Sequence, residues 1–213
     1  TWTQYLKENG VTVAHVVSSS KFAIKAQEAG VDAVVAEGFE AGGHNGREET
    51  TTLCLIPHVV EMVDIPVIAA GGIGKGSQIA AVLALGAQGV QIGSRFAATH
   101  ESSSHENFKN EILKAQEGDT QLTLKELAPV RLLKNKFYQK VQDAYANGAK
   151  KEDLAELLGK RRAKKGMFEG DLHEGELEIG QVSALINEIL SVEEVFNELL
   201  SEYTATIEKM NFL

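Results

Sequence analysis

The sequence has 213 residues, enough to bury a sizeable core in one domain or in one domain with an appendage. A net charge of -9 and a pI near 5.2 argue against a nucleic-acid binder, because no basic stripe exists to contact phosphates. No apolar stretch approaches the ~20 residues of a membrane-spanning helix. A single cysteine, Cys54, excludes an internal disulfide and is compatible with a reducing compartment, so we expect a cytoplasmic protein.

The first half of the sequence alternates helix and strand patterns. Residues 1–9 predict a short amphipathic helix. Apolar runs then predict strands at 11–17, 33–36, 66–70 and 89–92, separated by helices that begin near residues 20, 50 and 77. Strands that are apolar throughout and alternate with helices are typical of a parallel sheet covered by helices. A doubly wound sheet and a barrel both fit, and we favour the barrel because each functional-looking loop follows the carboxyl end of a strand.

Four strand–helix units are half of an eight-fold (β/α) barrel. After Phe96 the sequence becomes more polar and predicts helices alone, at about 105–115, 129–147, 151–159 and 181–209. We therefore expect residues 1–115 to form the second half of a TIM (β/α)8 barrel and residues 116–213 to form a helical extension packed on it. The first four units are expected to come from polypeptide outside this sequence.

Two glycine-rich loops predict a phosphate site. Residues 69–77 precede a helix, so their N–H groups and the helix start favour an anion. Gly93, Ser94 and Arg95 add donors after the next strand, and barrels commonly bind phosphate between the loops of their last two strands. The glycine spacing does not match a dinucleotide fingerprint, and no P-loop triplet occurs.

A loop at residues 36–46 carries one histidine, His44, between glycines, with two acids, Glu37 and Glu40, before it. Glycines such as Gly42 and Gly43 permit positive φ and close backbone approach, which suits a loop that presses against a flat ligand. The six histidines show no metal-ligand spacing, so no metal is expected. The pattern favours a flavin or sugar-phosphate pocket.

These motifs resemble the FMN-dependent nitronate monooxygenase (2-nitropropane dioxygenase) and enoyl-acyl-carrier-protein reductase II family. The resemblance rests on residues 36–46, 66–72 and 91–96 and on Gly180-Gln181. The presence of Glu37 makes the sequence more similar to the reductase branch than to the nitronate monooxygenases. It implies a barrel of which this chain matches the C-terminal two-thirds. It also implies FMN as the cofactor, with NADH or NADPH as the reductant.

The resemblance further implies roles for individual residues. His44 would be catalytic and would face the substrate. The residues implied to bind FMN are Glu37, Gly43, Ala70, Gly71, Gly72, Gln91, Gly93 and Ser94.

Two activities follow from the family. The first is NAD(P)H-dependent reduction of enoyl thioesters on an acyl carrier protein in fatty-acid synthesis, and the second is oxidation of nitroalkanes or nitronates with oxygen. A non-catalytic flavin- or phosphate-binding module, or an inactive half-barrel fragment, is the alternative from another class. The family also implies a homodimer, and the expected partners are the substrate and the first half of the barrel.

Overall fold

A computed structural model describes residues 2–210. The strands, in chain order, are β1 Ala14–Val17, β2 Ala33–Glu37, β3 Gly43–His44, β4 Val67–Ala70, β5 Gly89–Gln91, β6 Thr120–Thr123 and β7 Val130–Leu133. The helices are α1 Thr3–Glu8, α2 Ser20–Glu28, α3 Thr52–Met62, α4 Gly76–Ala84, α5 Ser94–Ala97, α6 Glu106–Ile112, α7 Lys136–Ala146, α8 Lys151–Leu158, α9 Arg162–Met167 and α10 Val192–Met210, with a 3-10 turn at Gln181–Leu185. The helix predicted over 1–9 is α1, although Thr1 lies outside the described residues. None of the helices in the described range is long and apolar enough to cross a membrane.

The described residues group into two compact units. One, which we call the sheet unit, comprises residues 2–40, 48–92 and 197–210; the other, the histidine unit, comprises residues 41–47 and 93–196. This grouping differs from the predicted division at residue 115, because segments far apart in the sequence pack together.

The sheet unit contains a parallel sheet in the order β1-β2-β4-β5. Helices α2, α3 and α4 connect its successive strands, as the alternating sequence pattern predicted. Consecutive parallel strands are neighbours throughout, whereas a doubly wound sheet reverses its strand order at a switch point. The arrangement is that of four successive units of a barrel, and each edge strand, β1 or β5, has one strand neighbour within residues 2–210.

One face of this sheet forms the core of the sheet unit. Alternate residues of the strands point to the same face, and those facing the helices are almost completely buried. They pack with apolar residues of α2 and α3: the cluster includes Val34, Ala36, Val67, Ala69, Ala23, Ala26, Leu55, Ile56 and Val59. Burial of each valine, leucine or isoleucine stabilises the fold by about 1.5–3 kcal/mol relative to exposure. The opposite face is therefore free to carry other residues.

The histidine unit contains strands that the sequence analysis missed. β6 and β7 form an antiparallel sheet with β3 in the order β3-β7-β6, so the prediction of helices alone after residue 96 was wrong. Strand Val130–Leu133, in which three of four residues are apolar, is separated from α7 by only two residues, and the two together resemble one long helical pattern. The helix predicted over 181–209 is a 3-10 turn followed by α10, and α9 was not predicted.

A carboxylate joins the end of β2 to the start of α3 and to the loop after β4. The backbone N–H of Thr52 donates to Glu40 Oε1 and Oε2 at 3.1 and 2.9 Å. The buried Thr52 hydroxyl lies 2.8 Å from Glu40 Oε2 and 2.8 Å from the carbonyl oxygen of Gly71, either of which can accept its proton. Because the side chain of the N-cap residue, Thr51, makes no capping bond, Glu40 satisfies the helix start in its place.

We expect Glu40→Ala to lower the free energy of unfolding of the full-length protein by about 1–3 kcal/mol, because a helix cap and a partly buried acceptor are lost together. Urea denaturation measures the change. Glu48→Ala, which removes an exposed carboxylate, is the matched control. Equal effects of the two substitutions would contradict the capping role of Glu40.

Candidate active site

In the sheet unit, three predicted site residues form a row across adjacent strands. Glu37 is the register partner of Ala70, and Ala70 is the partner of Gln91. Because partners in a parallel sheet point to the same face, these side chains lie side by side on the face opposite the core helices. Each also ends its strand at the carboxyl edge of the sheet, where ligands bind in α/β folds.

The row combines one small residue with two polar ones. Ala70 is buried, Glu37 is half-buried and Gln91 is exposed. Burial raises the pKa of the Glu37 carboxyl above its ordinary value. Within residues 2–210 no hydrogen-bond partner is assigned to the Glu37 or the Gln91 side chain. Both groups therefore remain available to a ligand.

Gly71 and Gly72 follow the row and adopt left-handed backbone conformations, with φ of 91° and 69°. A Cβ atom on Gly71 would lie 2.7 Å from the carbonyl oxygen of Gly38, so the residue must also be small to pack. In the described part of the chain the backbone N–H groups of both glycines have no assigned acceptor. Two adjacent donors are thus unused at the edge of the sheet.

The start of α4 is not the open anion site that the sequence predicted. The N–H groups of Gly74 and Lys75 donate to Gln78 Oε1 at 2.8 and 3.0 Å. The N–H of Gly76 donates to Glu202 Oε2 at 2.7 Å, and Lys75 Nζ lies 3.2 Å from Glu202 Oε1. A carboxylate from α10 therefore already occupies this helix start, because a helix N-terminus favours any negative group that reaches it.

In the histidine unit, His44 lies on β3 and its side chain is exposed. β3 pairs with β7, where His44 faces Val130, and the N–H of Asn45 donates to the carbonyl of Pro129 at 2.9 Å. The Asn45 side chain donates to the carbonyl of Ala41 at 2.9 Å. The predicted loop is therefore partly a strand, and its pairing with β7 fixes the backbone at His44.

The glycines before His44 pack against the protein itself. A Cβ atom on Gly42 would lie 2.4 Å from the carbonyl carbon of Ile179. One on Gly43, whose φ is 77°, would lie 2.9 Å from Glu178 Oε2. The close approach that the sequence pattern attributed to a ligand is made, within residues 2–210, to the extended segment around residues 178–180.

His44 borders a cavity of about 220 Å³ in the histidine unit. Apolar side chains form much of its wall, and two arginines and two glutamates also line it; the sequence analysis did not single out the glutamates. The lining residues are His44, Leu124, Leu127, Ala128, Val130, Leu158, Gly159, Arg161, Arg162, Ala163, Glu176 and Glu178. The sequence pattern that could have revealed the two acids is the alternation Glu176-Leu177-Glu178-Ile179. In an extended segment, a period of two places both acids on the same side.

Both acids have unusual protonation properties. Burial, and then the charge of Glu178, raise the pKa of Glu176 to about 7, although Arg162 opposes the shift. Burial also raises the pKa of Glu178, while the charge of His44 lowers it. Perturbed acids in a cavity beside a histidine are typical of a functional site.

Gly93 and Ser94 follow β5 in the chain and begin α5. Ser94 Oγ accepts a hydrogen bond from the N–H of Gly180 at 3.0 Å, so this hydroxyl has a structural partner. A Cβ atom on Gly93 would meet nothing within 4 Å, and its φ of -98° suits any residue. Packing within residues 2–210 therefore does not require glycine at position 93. Residues 2–210 contain no group of three or more His, Cys, Asp or Glu placed to hold a metal ion.

Parallel strands that end in a row of small and polar residues, followed by glycine loops, are typical of the C-terminal rim of a TIM-barrel enzyme. The family model described as nitronate monooxygenase matches residues 2–202, and the chain belongs to that family. A Bacillus subtilis protein named "Probable nitronate monooxygenase" is 34% identical over 205 residues, which cover 92% of this chain and 59% of that protein.

Two solved structures are also similar. FabK from Thermotoga maritima has 42% identity and a TM-score of 0.91, over 99% of this chain and 67% of that one. Nitroalkane oxidase from Streptomyces ansochromogenes has 32% identity and a TM-score of 0.81, over 97% of this chain and 62% of that one. The likenesses confirm the predicted barrel class, and the chain spans about 59% of the length of the Bacillus subtilis relative.

Members of the family are FMN enzymes, and the residues present fit this cofactor. Ala70 offers a small surface in the strand row, and Glu37 and Gln91 offer unused polar atoms on either side of it. Gly71 and Gly72 offer unused N–H donors of the kind that phosphate oxygens accept. Such a combination suits a ligand that is flat at one end and anionic at the other.

We expect Glu176→Gln to change how stability depends on pH. A carboxyl whose pKa rises from 4.5 to about 7 on folding binds more protons in the native state, so stability falls as pH rises across this interval. Because glutamine cannot be deprotonated, the Glu176→Gln variant does not lose stability in this way. Near pH 8 it should be more stable than wild type by as much as about 3 kcal/mol. Near pH 4 the difference should vanish.

Urea denaturation of the full-length protein at a series of pH values tests this expectation. Glu117→Gln, which neutralises an exposed acid of the same unit, is the control. Parallel stability curves for wild type and Glu176→Gln would show that Glu176 titrates normally.

Proposed function

We propose that this chain forms the C-terminal part of an FMN-dependent oxidoreductase that reduces enoyl thioesters with NADH or NADPH. The observation that carries the proposal is the strand-end row of Glu37, Ala70 and Gln91, followed by the unused donors of Gly71 and Gly72. The likeness to FabK, an enoyl-acyl-carrier-protein reductase, supports the choice of substrate class.

In this proposal the sheet unit supplies most of the FMN contacts. Ala70 and Gln91 would lie against the cofactor, Glu37 would fix its orientation, and the N–H groups of Gly71 and Gly72 would bind its oxygen atoms. FMN supplies hydride transfer when it is bound, while the protein supplies position and proton handling. In the histidine unit, Gly43, Gly93 and Ser94 are also proposed as cofactor contacts.

His44 is the proposed catalytic residue. Its exposed imidazole borders a cavity with an apolar wall that includes Leu124, Leu127 and Leu158, which suits an acyl chain better than a small nitroalkane. There His44 would orient the thioester and provide the proton that its α-carbon takes up. An imidazole suits this task because it can hold or release a proton near neutral pH.

Nitronate oxidation is the alternative function. It is favoured by the names of the Bacillus subtilis relative and of the Streptomyces nitroalkane oxidase. In that reaction His44 would remove the acidic proton of a nitroalkane or would bind the nitronate anion.

The edge strands of the parallel sheet, β1 and β5, have sides that another strand could pair with. β1 and β5 each have one strand neighbour in the described range, and an unpaired edge favours pairing with another strand. We propose that polypeptide outside this sequence supplies the other strands of the barrel, and that the complete enzyme is a homodimer. An acyl carrier protein is the proposed carrier of its substrate.

The test uses the full-length flavoprotein under anaerobic conditions. NADH or NADPH should bleach the flavin absorbance, and crotonyl thioester should then restore it. His44→Ala should remain yellow but restore the absorbance about 10²- to 10⁴-fold more slowly, because a proton donor is lost.

Other outcomes discriminate between the alternatives. Bleaching by a nitronate, without reduction by either nucleotide, would support the monooxygenase. A colourless protein would overturn both flavin functions and support a different class of binding module.

We expect Gly93→Ala to weaken FMN binding about tenfold while the apoprotein keeps its stability. An added methyl group meets no atom of the described residues, so a loss of affinity would report a cofactor in that space. Fluorescence titration with FMN measures the dissociation constant, and thermal unfolding of the apoprotein provides the control. Unchanged affinity would remove Gly93 from the proposed site.

A further inference from the structure

The segment containing Glu176 and Glu178 is held at both ends in the histidine unit. The carbonyl of Leu177 accepts a hydrogen bond from the N–H of Leu133 at 2.9 Å, and the N–H of Gly180 donates to Ser94 Oγ at 3.0 Å. Leu177 is 1% exposed and belongs to an apolar cluster of this unit. Glu176 and Glu178 therefore point to the other side, where both line the cavity that His44 borders.

Neither carboxylate is paired with a protein group in the described residues. Glu176 is 6% exposed, and within residues 2–210 neither carboxylate is assigned a hydrogen bond or a salt bridge. Their oxygen atoms do not belong to the buried, unpartnered side-chain atoms of these residues, so they reach the open space of the cavity. Both acids are therefore available to a group that enters the cavity.

Glu178 is the acid that approaches β3 closely. Its Oε2 would lie 2.9 Å from a Cβ atom placed on Gly43, the residue directly before His44 on β3. Burial raises the pKa of both acids; in addition, the charge of His44 lowers the pKa of Glu178 and the charge of Glu178 raises the pKa of Glu176. Glu178 is thus the acid whose charge is coupled to both of the other groups.

Basic groups also lie around this cavity. Arg162 donates to the carbonyls of Leu157, Leu158 and Glu174 at 2.7–2.8 Å, and its guanidinium lies 4.4 Å from the centre of the Phe137 ring. It is thereby fixed, although its charge is felt by Glu176.

Two further arginines lie on neighbouring segments of the histidine unit. Arg161 lines the cavity from an exposed, left-handed position with φ of 62°. Arg131 is buried on β7 as the strand partner of Gly43 and lies 3.3 Å from the Thr120 hydroxyl.

We propose that Glu178 is a positioning residue for His44, and that Glu176 adjusts the negative charge that His44 experiences. The carboxylate of Glu178 attracts and orients the protonated imidazole. Glu176 takes up a proton when both acids would otherwise be charged, because two neighbouring carboxylates in a buried site resist double ionisation. This inference rests on the proposed function of His44, but its physical part can be tested without turnover.

The test compares Glu178→Gln, Glu178→Asp, Glu176→Gln and the control Glu117→Gln in the full-length holoenzyme. Diethyl pyrocarbonate modifies neutral imidazole, and peptide mass spectrometry reads its rate at His44 with His58, exposed on α3, as the internal reference. Removing the carboxylate of Glu178 should raise the rate at His44 about two- to fivefold between pH 6 and pH 7, the size expected of a partly exposed charge pair. The aspartate variant should recover part of the wild-type rate, and Glu176→Gln should change the pH at which the rate rises.

The possible results separate this inference from the proposed function. An unchanged His44 rate in Glu178→Gln, with unfolding curves that show a folded protein, would overturn the positioning role whatever the activity. A changed rate together with full activity of His44→Ala would support the electrostatic pair and contradict the catalytic role of His44. The pH profile of kcat in the Glu176→Gln variant should lose an ionisation near neutral pH that Glu117→Gln retains.

Discussion

The carboxylate of Glu40 constrains three parts of the sheet unit at once. It accepts hydrogen bonds at the start of α3, and through the Thr52 hydroxyl it is linked to the carbonyl of Gly71 after β4. A helix start must find acceptors for its free N–H groups, and here the acceptor comes from the end of a neighbouring strand. The loops after β2 and β4, which follow the proposed flavin residues Glu37 and Ala70, are thereby joined to each other.

The glycines of the candidate site serve different physical purposes. Gly71 and Gly72 allow left-handed backbone, and Gly42 allows close packing against Ile179. Gly93 satisfies neither requirement, since its backbone is ordinary and the space beside it is open. Among the described residues, packing therefore gives no reason for a glycine at position 93, whereas it gives one at Gly42 and Gly71.

The charges of the histidine unit show how a cavity can favour proton chemistry. Removing a carboxylate from water disfavours its charged form, which is why the pKa of Glu176 rises to about 7. The charge of a second acid, Glu178, acts on Glu176, and the charge of His44 acts on Glu178. Glu176 can therefore change its charge near neutral pH, where an acid–base catalyst must work.

The sequence by itself determined the alternation of strands and helices up to residue 92 and the glycine loops after the strands, because both depend on local periodicity. The family also followed from local motifs, chiefly the segment that ends in His44. Only the tertiary structure decided that Glu202 caps α4, 126 residues from Gly76, and that Glu178 faces β3. It also decided that residues 130–133 form a strand, since their partners on β6 and β3 are distant in the sequence. Local patterns encode elements and loops, whereas charge neighbours depend on packing between remote segments.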